Sequence, residues 1–179
     1  MMRTDGLNPS FVKKVPPGDD RERSVCSHCG YVEYQNPKIV TGSVATDHQG
    51  RILLCKRAIE PRLGFWTLPA GYMELGETTE QSACREAWEE ARADLQLDQV
   101  LAVYSVPRIS QVQIMYRAYL KNPDTVEAGP ESEEVMLVPW EDIPWPDLAF
   151  PTVAWALRQH REVIGTPAFP PFSNPVDGV

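Results

Sequence analysis

The segment from Gly71 to Ala93 constrains this chain more than any other, because it gathers three acidic side chains on one side of a helix. A glycine-containing loop leads into a helix whose last turns carry Glu86, Glu89 and Glu90. Residues three or four apart share a helical face, with Cβ atoms about 5–6 Å apart, and like charges at that spacing destabilise a helix. A cation between them would remove this repulsion. Clustered carboxylates suit Mg²⁺ or Mn²⁺, which proteins often bind together with substrate phosphates.

Length and charge limit the class of protein. The 179 residues fit one domain with a small appendage. A formal net charge of −8 argues against a general nucleic-acid binder, which needs a basic face. We expect no membrane partner, because the chain has no apolar run of about 18 residues and no signal-peptide core near its first residues. The four cysteines do not suggest a secreted disulfide framework, so the sequence predicts a cytoplasmic protein.

The order of strands and helices predicts an α/β fold. Strand-like runs occupy residues 38–46, 51–57, 65–68, 97–106, 110–120 and 134–138. Thr78 is a suitable N-cap for the acidic helix, and Gln81 completes a capping box. Pro151 suits the first turn of a closing helix that ends before Gly165. This pattern predicts a mixed sheet covered by helices on both faces.

Three segments are expected along the chain. Residues 1–35 form a short ribbon-like segment around a Cys26-x-x-Cys29 turn, residues 36–165 form the main domain, and residues 166–179 form a proline-rich tail without predicted regular structure.

The acidic helix and the loop before it resemble the signature of Nudix hydrolases, G-x5-E-x7-R-E-U-x-E-E-x-G-U, where U is a bulky aliphatic residue. The matching positions are Gly71, Glu77, Arg85, Glu86, Glu89 and Glu90. Ala87 and Ala93 replace bulky aliphatics, and Arg92 stands where the signature has a glycine that lets the chain leave the helix in a left-handed conformation. These departures leave the acidic positions intact.

The resemblance implies a fold, a chemistry and a partner. Nudix enzymes form an α/β/α sandwich, so a mixed sheet between helices is expected here. The Cys26–Gly30 turn and the segment Trp66–Gly71 are similar to a subgroup that carries an N-terminal zinc ribbon and includes FAD and ADP-ribose pyrophosphatases. A homodimer is also expected from this resemblance.

The family pattern also assigns roles to acidic residues. It implies that Glu86, Glu89 and Glu90 hold Mg²⁺ or Mn²⁺, with Glu77 joining the metal or supporting the loop. Glu89 and Glu90 are also candidates for positioning the attacking water. Arg85 would pair with a glutamate and orient it. A glutamate from a late loop often serves as base in Nudix enzymes, and the prediction for that role is Glu133, with Glu131 also in the loop.

Substrate-binding residues are predicted from side-chain chemistry. Arginines grip phosphates in a bidentate manner, and aromatic rings stack on bases or on a flavin. The candidates are Arg57, Arg62 and Arg108 for phosphates, Trp66 and Tyr104 for stacking, and Gln111 for reading a ring edge. The alternative is that the arginines only keep the surface soluble and the aromatics only fill the core.

The zinc prediction is open. A structural zinc ion needs four ligands, and Cys26 and Cys29 supply two. Cys55 and Cys84 fall in a predicted strand and in the acidic helix. A metal-free ribbon is the favoured interpretation, and the alternatives are a zinc ion shared between two subunits and an N-terminus that has lost its first cysteine pair.

These observations predict Mg²⁺-dependent hydrolysis of a dinucleotide pyrophosphate, FAD or ADP-ribose, with release of AMP. The alternatives are an NADH or nucleoside triphosphate pyrophosphatase, and a sensor of the same fold that binds a nucleotide without cleaving it.

Overall fold

The computed structural model describes residues 10–176, and the chain divides into two compact units, Met1–Asn36 and Pro37–Val179. Within the described residues, no helix has both the length and the apolar character needed to span a bilayer.

The N-terminal unit is a small antiparallel sheet. Its strands are β1 (Phe11–Lys14), β2 (Arg23–Cys26) and β3 (Val32–Glu33), with β2 in the centre. A tight turn follows β2, in which the Gly30 amide donates to the Cys26 carbonyl at 3.0 Å. The backbone amides of Cys29 and His28 lower the pKa of the Cys26 thiol. Cys26 is buried and Cys29 is exposed, so the two thiols of the turn differ in their access to solvent.

The second unit is built on a seven-stranded mixed sheet. Its strands are β4 (Lys38–Thr46), β5 (Ile52–Arg57), β6 (Trp66–Thr67), β7 (Ala70–Tyr72), β8 (Leu95–Val106), β9 (Gln111–Leu120) and β10 (Ser132–Val138). The main path runs β10-β5-β4-β9-β8, with β6 beside β5 and β7 beside β4. Strand β4 is parallel to β9, whereas the other named pairs are antiparallel. The short β7 was missing from the predicted strands.

One helix packs on each face of this sheet. Neighbouring residues of a strand point to opposite faces, so a strand that is apolar throughout contributes to the apolar surface on both faces. Along β5, Leu53 belongs to the apolar cluster that contains Ala87 and Ala91 of helix α1 (Thr79–Ala91). Leu54 belongs to the cluster under helix α2 (Pro151–Glu162). The predicted α/β/α arrangement is therefore confirmed. The alanines of α1 are fully buried, and their small side chains let the helix approach the sheet closely.

The exit of helix α1 occurs at Arg92 in a left-handed conformation, with φ 51° and ψ 26°. The amides of Arg92 and Ala93 donate back to the carbonyls of Trp88 and Ala87 at 2.9 and 3.2 Å. The chain thus turns as it would with a glycine, and the arginine carries the steric cost of that conformation, about 1–2 kcal/mol for an L-residue.

The tail was predicted without regular structure, but the described part of it pairs with an edge of the sheet. The Phe172 amide donates to the Leu101 carbonyl at 2.8 Å, and the Val103 amide donates to the Phe172 carbonyl at 2.9 Å. The side chain of Asn174 bonds both the amide and the carbonyl of Ser105. Strand β8 is the last strand of the sheet path, and its outward groups need partners. A proline-rich segment suits this role because an edge segment donates few amides.

Replacing Arg92 with glycine is expected to stabilise the protein. Glycine adopts a left-handed conformation without the Cβ clash, which outweighs its greater freedom in the unfolded chain. We expect the free energy of unfolding in urea to rise by about 0.5–1 kcal/mol. Arg92→Ala is the matched control, because it removes the guanidinium but keeps the strain. A glycine variant no more stable than the alanine variant would contradict this prediction.

Replacing Phe172 with alanine is expected to release the tail from β8. Its ring packs against the core cluster, so its loss weakens the anchor of the backbone pair. Hydrogen exchange at the amides of Val103 and Ser105, which face the tail, should accelerate. The amide of Tyr104, whose residue lies opposite Gln113 of β9, is the internal control and should remain protected. Equal acceleration at all three amides would indicate general loosening instead.

Candidate active site

The acidic helix lies close to the sheet at Gly71. This glycine is in β7, and a Cβ atom at its position would overlap the carboxylate of Glu86. The helix begins at a capping box, in which Thr78 accepts from the Gln81 amide at 3.2 Å and the Gln81 side chain accepts from the Thr78 amide at 2.8 Å. The glycine and the cap together place the glutamates of α1 against the loop before the helix.

Arg85 organises the carboxylates on the open side of the helix. Its guanidinium donates to Glu77 at 2.8 and 3.0 Å, to Glu86 at 2.8 Å and to Glu89 at 2.9 Å. It also donates to the Tyr72 carbonyl at 2.9 Å. The hydrogen bond from Arg85 lowers the pKa of Glu77 to about 2. One cation therefore holds the loop and two glutamates of the helix in one arrangement.

Glu90 lies deeper and has no such partner. It is 6% exposed, and among residues 10–176 its Oε2 atom is buried without a hydrogen-bond partner. Burial raises its pKa to about 8, and the charge of Glu86 acts in the same direction. Burial also raises the pKa of Glu86. An unpaired buried carboxylate is costly, so a cation at this point would offset the cost.

The donor set fits a divalent metal ion by its chemistry. Glu86, Glu89 and Glu90 supply the hard oxygen atoms that Mg²⁺ and Mn²⁺ prefer, and the unpartnered Oε2 of Glu90 faces none of the arginine's donors. Within the described part of the chain, no three His, Cys, Asp or Glu side chains are already gathered around one point, and Arg85 holds Glu86 and Glu89 by hydrogen bonds.

The loop before β10 carries Glu131, whose charge acts on the carboxylates of α1. The charge of Glu131 raises the pKa of both Glu86 and Glu90. Glu133 instead lies within β10 and pairs with Lys56 at 3.7 Å. Strand β10 begins at Ser132, earlier than predicted, and the catalytic role of Glu133 stays a prediction. A prediction that started β10 at Ser132 would have placed Glu131 in the loop and Glu133 in the strand.

Two of the predicted phosphate-binding arginines lie near β5 and the loop after it. Arg57 is the last residue of β5. Its positive charge opposes part of the rise in the pKa of Glu90, so Arg57 lies near the cluster. Its Nε atom donates to the Pro61 carbonyl at 2.7 Å, and its guanidinium lies 5.3 Å from the Phe150 ring centre. Arg62 has a positive φ of 69°, and its guanidinium lies 5.0 Å from the ring centre of Phe65.

Tyr104 does not remain a candidate for substrate stacking. Its ring is fully buried, its hydroxyl donates to Gln159, and its edge packs against Trp155 at 5.4 Å. It has no face open to a ligand, so the expectation is corrected to a core role. Trp66 is half-buried and packs against the same core cluster.

Tyr72 is an exposed aromatic residue that the sequence reasoning missed. It follows Gly71 directly, is 49% exposed, and lines a shallow depression with Lys38, Ile39 and Met73. Its hydroxyl accepts from Gln111 Nε2 at 3.1 Å, and Lys38 Nζ lies 4.8 Å from its ring centre. An aromatic residue next to the signature glycine was the available signal.

The remaining candidates are placed as follows. Gln111 begins β9 beside this depression, and Arg108 lies in the exposed turn Pro107–Ile109 just before it. Cys26 and Cys29 share their turn in the N-terminal unit, whereas Cys55 and Cys84 belong to the second unit.

Comparison with known proteins identifies two family models in this chain. The NUDIX domain model matches residues 36–159, and the zinc-ribbon model described as Nudix N-terminal matches residues 9–35.

Individual relatives agree with these models. A crystal structure of a NUDIX hydrolase from Nitrosomonas europaea is 40% identical, with a TM-score of 0.84, and the match covers 97% of this chain and 98% of that one. The NAD-capped RNA hydrolase NudC of Photobacterium profundum is 32% identical over 68% of this chain and 44% of its own length. The ADP-ribose pyrophosphatase of Methanocaldococcus jannaschii is 38% identical over 43% of this chain and 45% of its own. The chain thus spans less than half the length of these two curated relatives.

Replacing Glu90 with glutamine is expected to stabilise the metal-free protein, more at pH 8 than at pH 5. The folded protein keeps a proton on Glu90 that the unfolded chain releases above its ordinary pKa, so stability falls as the pH rises from about 4.5 towards about 8. A glutamine at position 90 does not titrate, so its contribution to the stability does not change with pH. Thermal melts with a chelator at both pH values test this, and an equal effect at both would contradict it.

Proposed function

The chain belongs to the Nudix family, and on this premise we propose that it is a metal-dependent pyrophosphohydrolase whose substrate is a nucleoside diphosphate linked to a second moiety. The observation that supports this most is the buried Oε2 atom of Glu90, which has no partner within the described residues and lies on the helix that also carries Glu86 and Glu89.

We assign the binding of the metal to Glu86, Glu89 and Glu90. A divalent cation bound there supplies charge neutralisation of the diphosphate and a lower pKa for the attacking water. The protein supplies the orientation. Arg85 fixes the rotamers of Glu86 and Glu89 through its hydrogen bonds, and Gly71 leaves the space that Glu86 occupies.

Two further residues are assigned from their position near the cluster. Glu131 is the general base. Its negative charge contributes to the raised pKa of both Glu86 and Glu90, and its side chain is exposed to solvent. Arg57 is the phosphate-binding cation, since its charge acts on Glu90. A guanidinium there would offset the charge of a diphosphate, in a protein whose net charge of −8 otherwise repels anions.

The proposed substrates are ADP-ribose and FAD, with AMP as a product, and NADH is the second candidate. One curated relative is named an ADP-ribose pyrophosphatase and others are named NAD-capped RNA hydrolases. These substrates share an adenosine diphosphate half. The exposed ring of Tyr72, tied by Gln111, is the proposed platform for stacking the base. A metal-free N-terminal ribbon, a homodimer and a cytoplasmic location remain predictions, and zinc in the N-terminal unit remains the alternative.

A product assay tests this proposal. The protein is incubated with ADP-ribose, FAD, NADH and a nucleoside triphosphate at millimolar Mg²⁺ or Mn²⁺, and the nucleotides are separated by chromatography. Release of AMP from one of the first three, abolished by chelator, is the expected result. Pyrophosphate release from the triphosphate alone would reassign the substrate class. Absence of any product, with nucleotide binding by calorimetry, would favour the sensor alternative.

A thermal shift assay tests the metal site without turnover. Mg²⁺ or Mn²⁺ should raise the melting temperature of the wild-type protein, because the ion binds only the folded state. The Glu90→Gln variant should show a much smaller shift, since it lacks one ligand charge. The Glu133→Gln variant is the matched control and should shift like the wild type. An undiminished shift in Glu90→Gln would remove Glu90 from the metal site.

Replacing Glu131 with glutamine is expected to lower kcat by about 100-fold or more, because general-base catalysis contributes about 10²–10⁴-fold. Glu133→Gln is expected to change kcat much less, because that carboxylate pairs with Lys56. Steady-state kinetics of both variants on the same substrate decide between the two glutamates, and a larger loss in Glu133→Gln would restore the original expectation.

Replacing Tyr72 with alanine is expected to raise KM by about 10-fold, since base stacking on an aromatic ring contributes about 1–3 kcal/mol. The phenylalanine variant keeps the ring and should stay within a few-fold of the wild type. An alanine variant with unchanged KM would exclude Tyr72 as the platform.

A further inference from the structure

The end of helix α1 is closed by a loop from elsewhere in the chain. The Glu127 amide donates to the Ala91 carbonyl at 2.9 Å, and the Gly129 amide donates to the Glu90 carbonyl at 2.9 Å. The last carbonyls of a helix have no partner within the helix, so the loop at 127–129 supplies these bonds. The loop is thereby held to the backbone of one of the proposed metal-binding residues.

Gly129 makes this contact possible through its size. It is buried, and a Cβ atom at this position would overlap the carbonyl oxygen of Glu89 and crowd the carbonyl carbon of Glu90. The obstacle is backbone, which cannot rotate away as a flexible side chain would. Its backbone is outside the positive-φ range, so the position requires space rather than the conformational freedom of glycine.

The same loop carries Glu131 two residues later. The Ser132 amide donates to the Gly129 carbonyl at 3.1 Å, which closes the turn around Glu131. The Glu131 carbonyl accepts from the Ala58 amide at 2.8 Å. Glu131 is therefore held on one side by Ala58, the residue that follows β5, and on the other by a turn whose first residue lies against α1.

We infer that Gly129 is a positioning residue, whose close backbone contact with Glu89 and Glu90 sets how near Glu131 stands to the carboxylates of α1. This inference rests on the proposed function, because it assigns Glu131 a part in the reaction. Gly129 lies outside the signature segment Gly71–Ala93, and it acts through its backbone because it has no side chain. A methyl group at position 129 would move the loop outward and carry Glu131 with it.

A double-mutant cycle tests the inference. In the wild-type background, Gly129→Ala is expected to lower kcat by about 10-fold or more with KM within about 3-fold. In the Glu131→Gln background the same change is expected to alter kcat by less than about 2-fold, because the group it acts through is already gone. An equal loss in both backgrounds would overturn the inference, since Gly129 would then act independently of Glu131.

Gly50→Ala is the matched glycine control. Gly50 lies in the turn between β4 and β5, and an added Cβ there meets nothing within 4 Å. Its φ of 76° makes alanine strained, so this variant reports the effect of destabilisation alone. It should melt at a lower temperature with an unchanged kcat. A loss of kcat in Gly50→Ala as large as in Gly129→Ala would overturn the inference.

A second variant covers the case in which Gly129→Ala does not fold. Glu127→Pro removes the amide that donates to Ala91 without adding volume against the helix. Val126 already has the extended conformation that a residue before proline adopts, with φ −65° and ψ 131°. Glu127→Pro should lower kcat in the wild-type background and not in the Glu131→Gln background. A full loss in both backgrounds would overturn the inference.

Hydrogen exchange separates failure of this inference from failure of the proposed function. The Ala58 amide reports the position of Glu131 because it donates to that residue's carbonyl. It should exchange faster in Gly129→Ala and remain protected in Gly50→Ala. Unchanged exchange at Ala58 would overturn the inference. A wild-type protein that hydrolyses no substrate would refute the proposed function alone, and the exchange result would still decide whether Gly129 positions the loop.

Discussion

The cost of burying negative charge at the junction of α1 and the sheet dominates the architecture of this site. Glu90 is almost fully buried, and one of its oxygen atoms has no partner among the described residues. Glu86 adds a second partly desolvated carboxyl group. Folding must pay for this arrangement through the rest of the unit, which is the usual relation between a binding site and its scaffold. The two apolar clusters on opposite faces of the sheet supply that stability.

Arg85 and the glycines at positions 71 and 129 both allow α1 to pack closely at this site. Arg85 contacts Glu77, Glu86 and Glu89 by direct hydrogen bonds, so one positive charge offsets part of the negative charge of these three carboxylates. Gly71 and Gly129 act by leaving space, one for the carboxylate of Glu86 and the other for the backbone at Glu89. The guanidinium of Arg85 and the space left by Gly71 and Gly129 together fix the position of the glutamates of α1.

Sequence reasoning predicted well where a local rule decides the structure. The capping box at Thr78 and Gln81 was confirmed, since it depends only on residues three apart. The mixed sheet between helices was confirmed because strand alternation and helix periodicity are read directly along the chain. The roles of the glutamates on α1 remain predictions, although their common location follows from helical spacing.

The errors have a common physical cause, which is that they depend on partners distant in sequence. Tyr104 was expected to face a substrate, but an aromatic residue in a strand faces either side, and here it meets Gln159 and Trp155 of α2. The described part of the tail contains no helix or strand, as expected, but its bridge from Phe172 to Ala102 of β8 was not evident from composition. Glu133 was placed in a loop because the start of β10 at Ser132 was not evident from composition.

The sequence by itself determined the family, the order of the elements and the acidic face of α1, because spacing along a helix is a local property. Only the tertiary structure decided which carboxylate has a buried oxygen atom without a partner among the described residues, where β10 begins, and why Gly129 lies against the helix end. Those properties arise when segments far apart in the chain are brought together and exclude water. Desolvation and close packing depend on all the spatial neighbours of a group, and these neighbours are set by the tertiary fold.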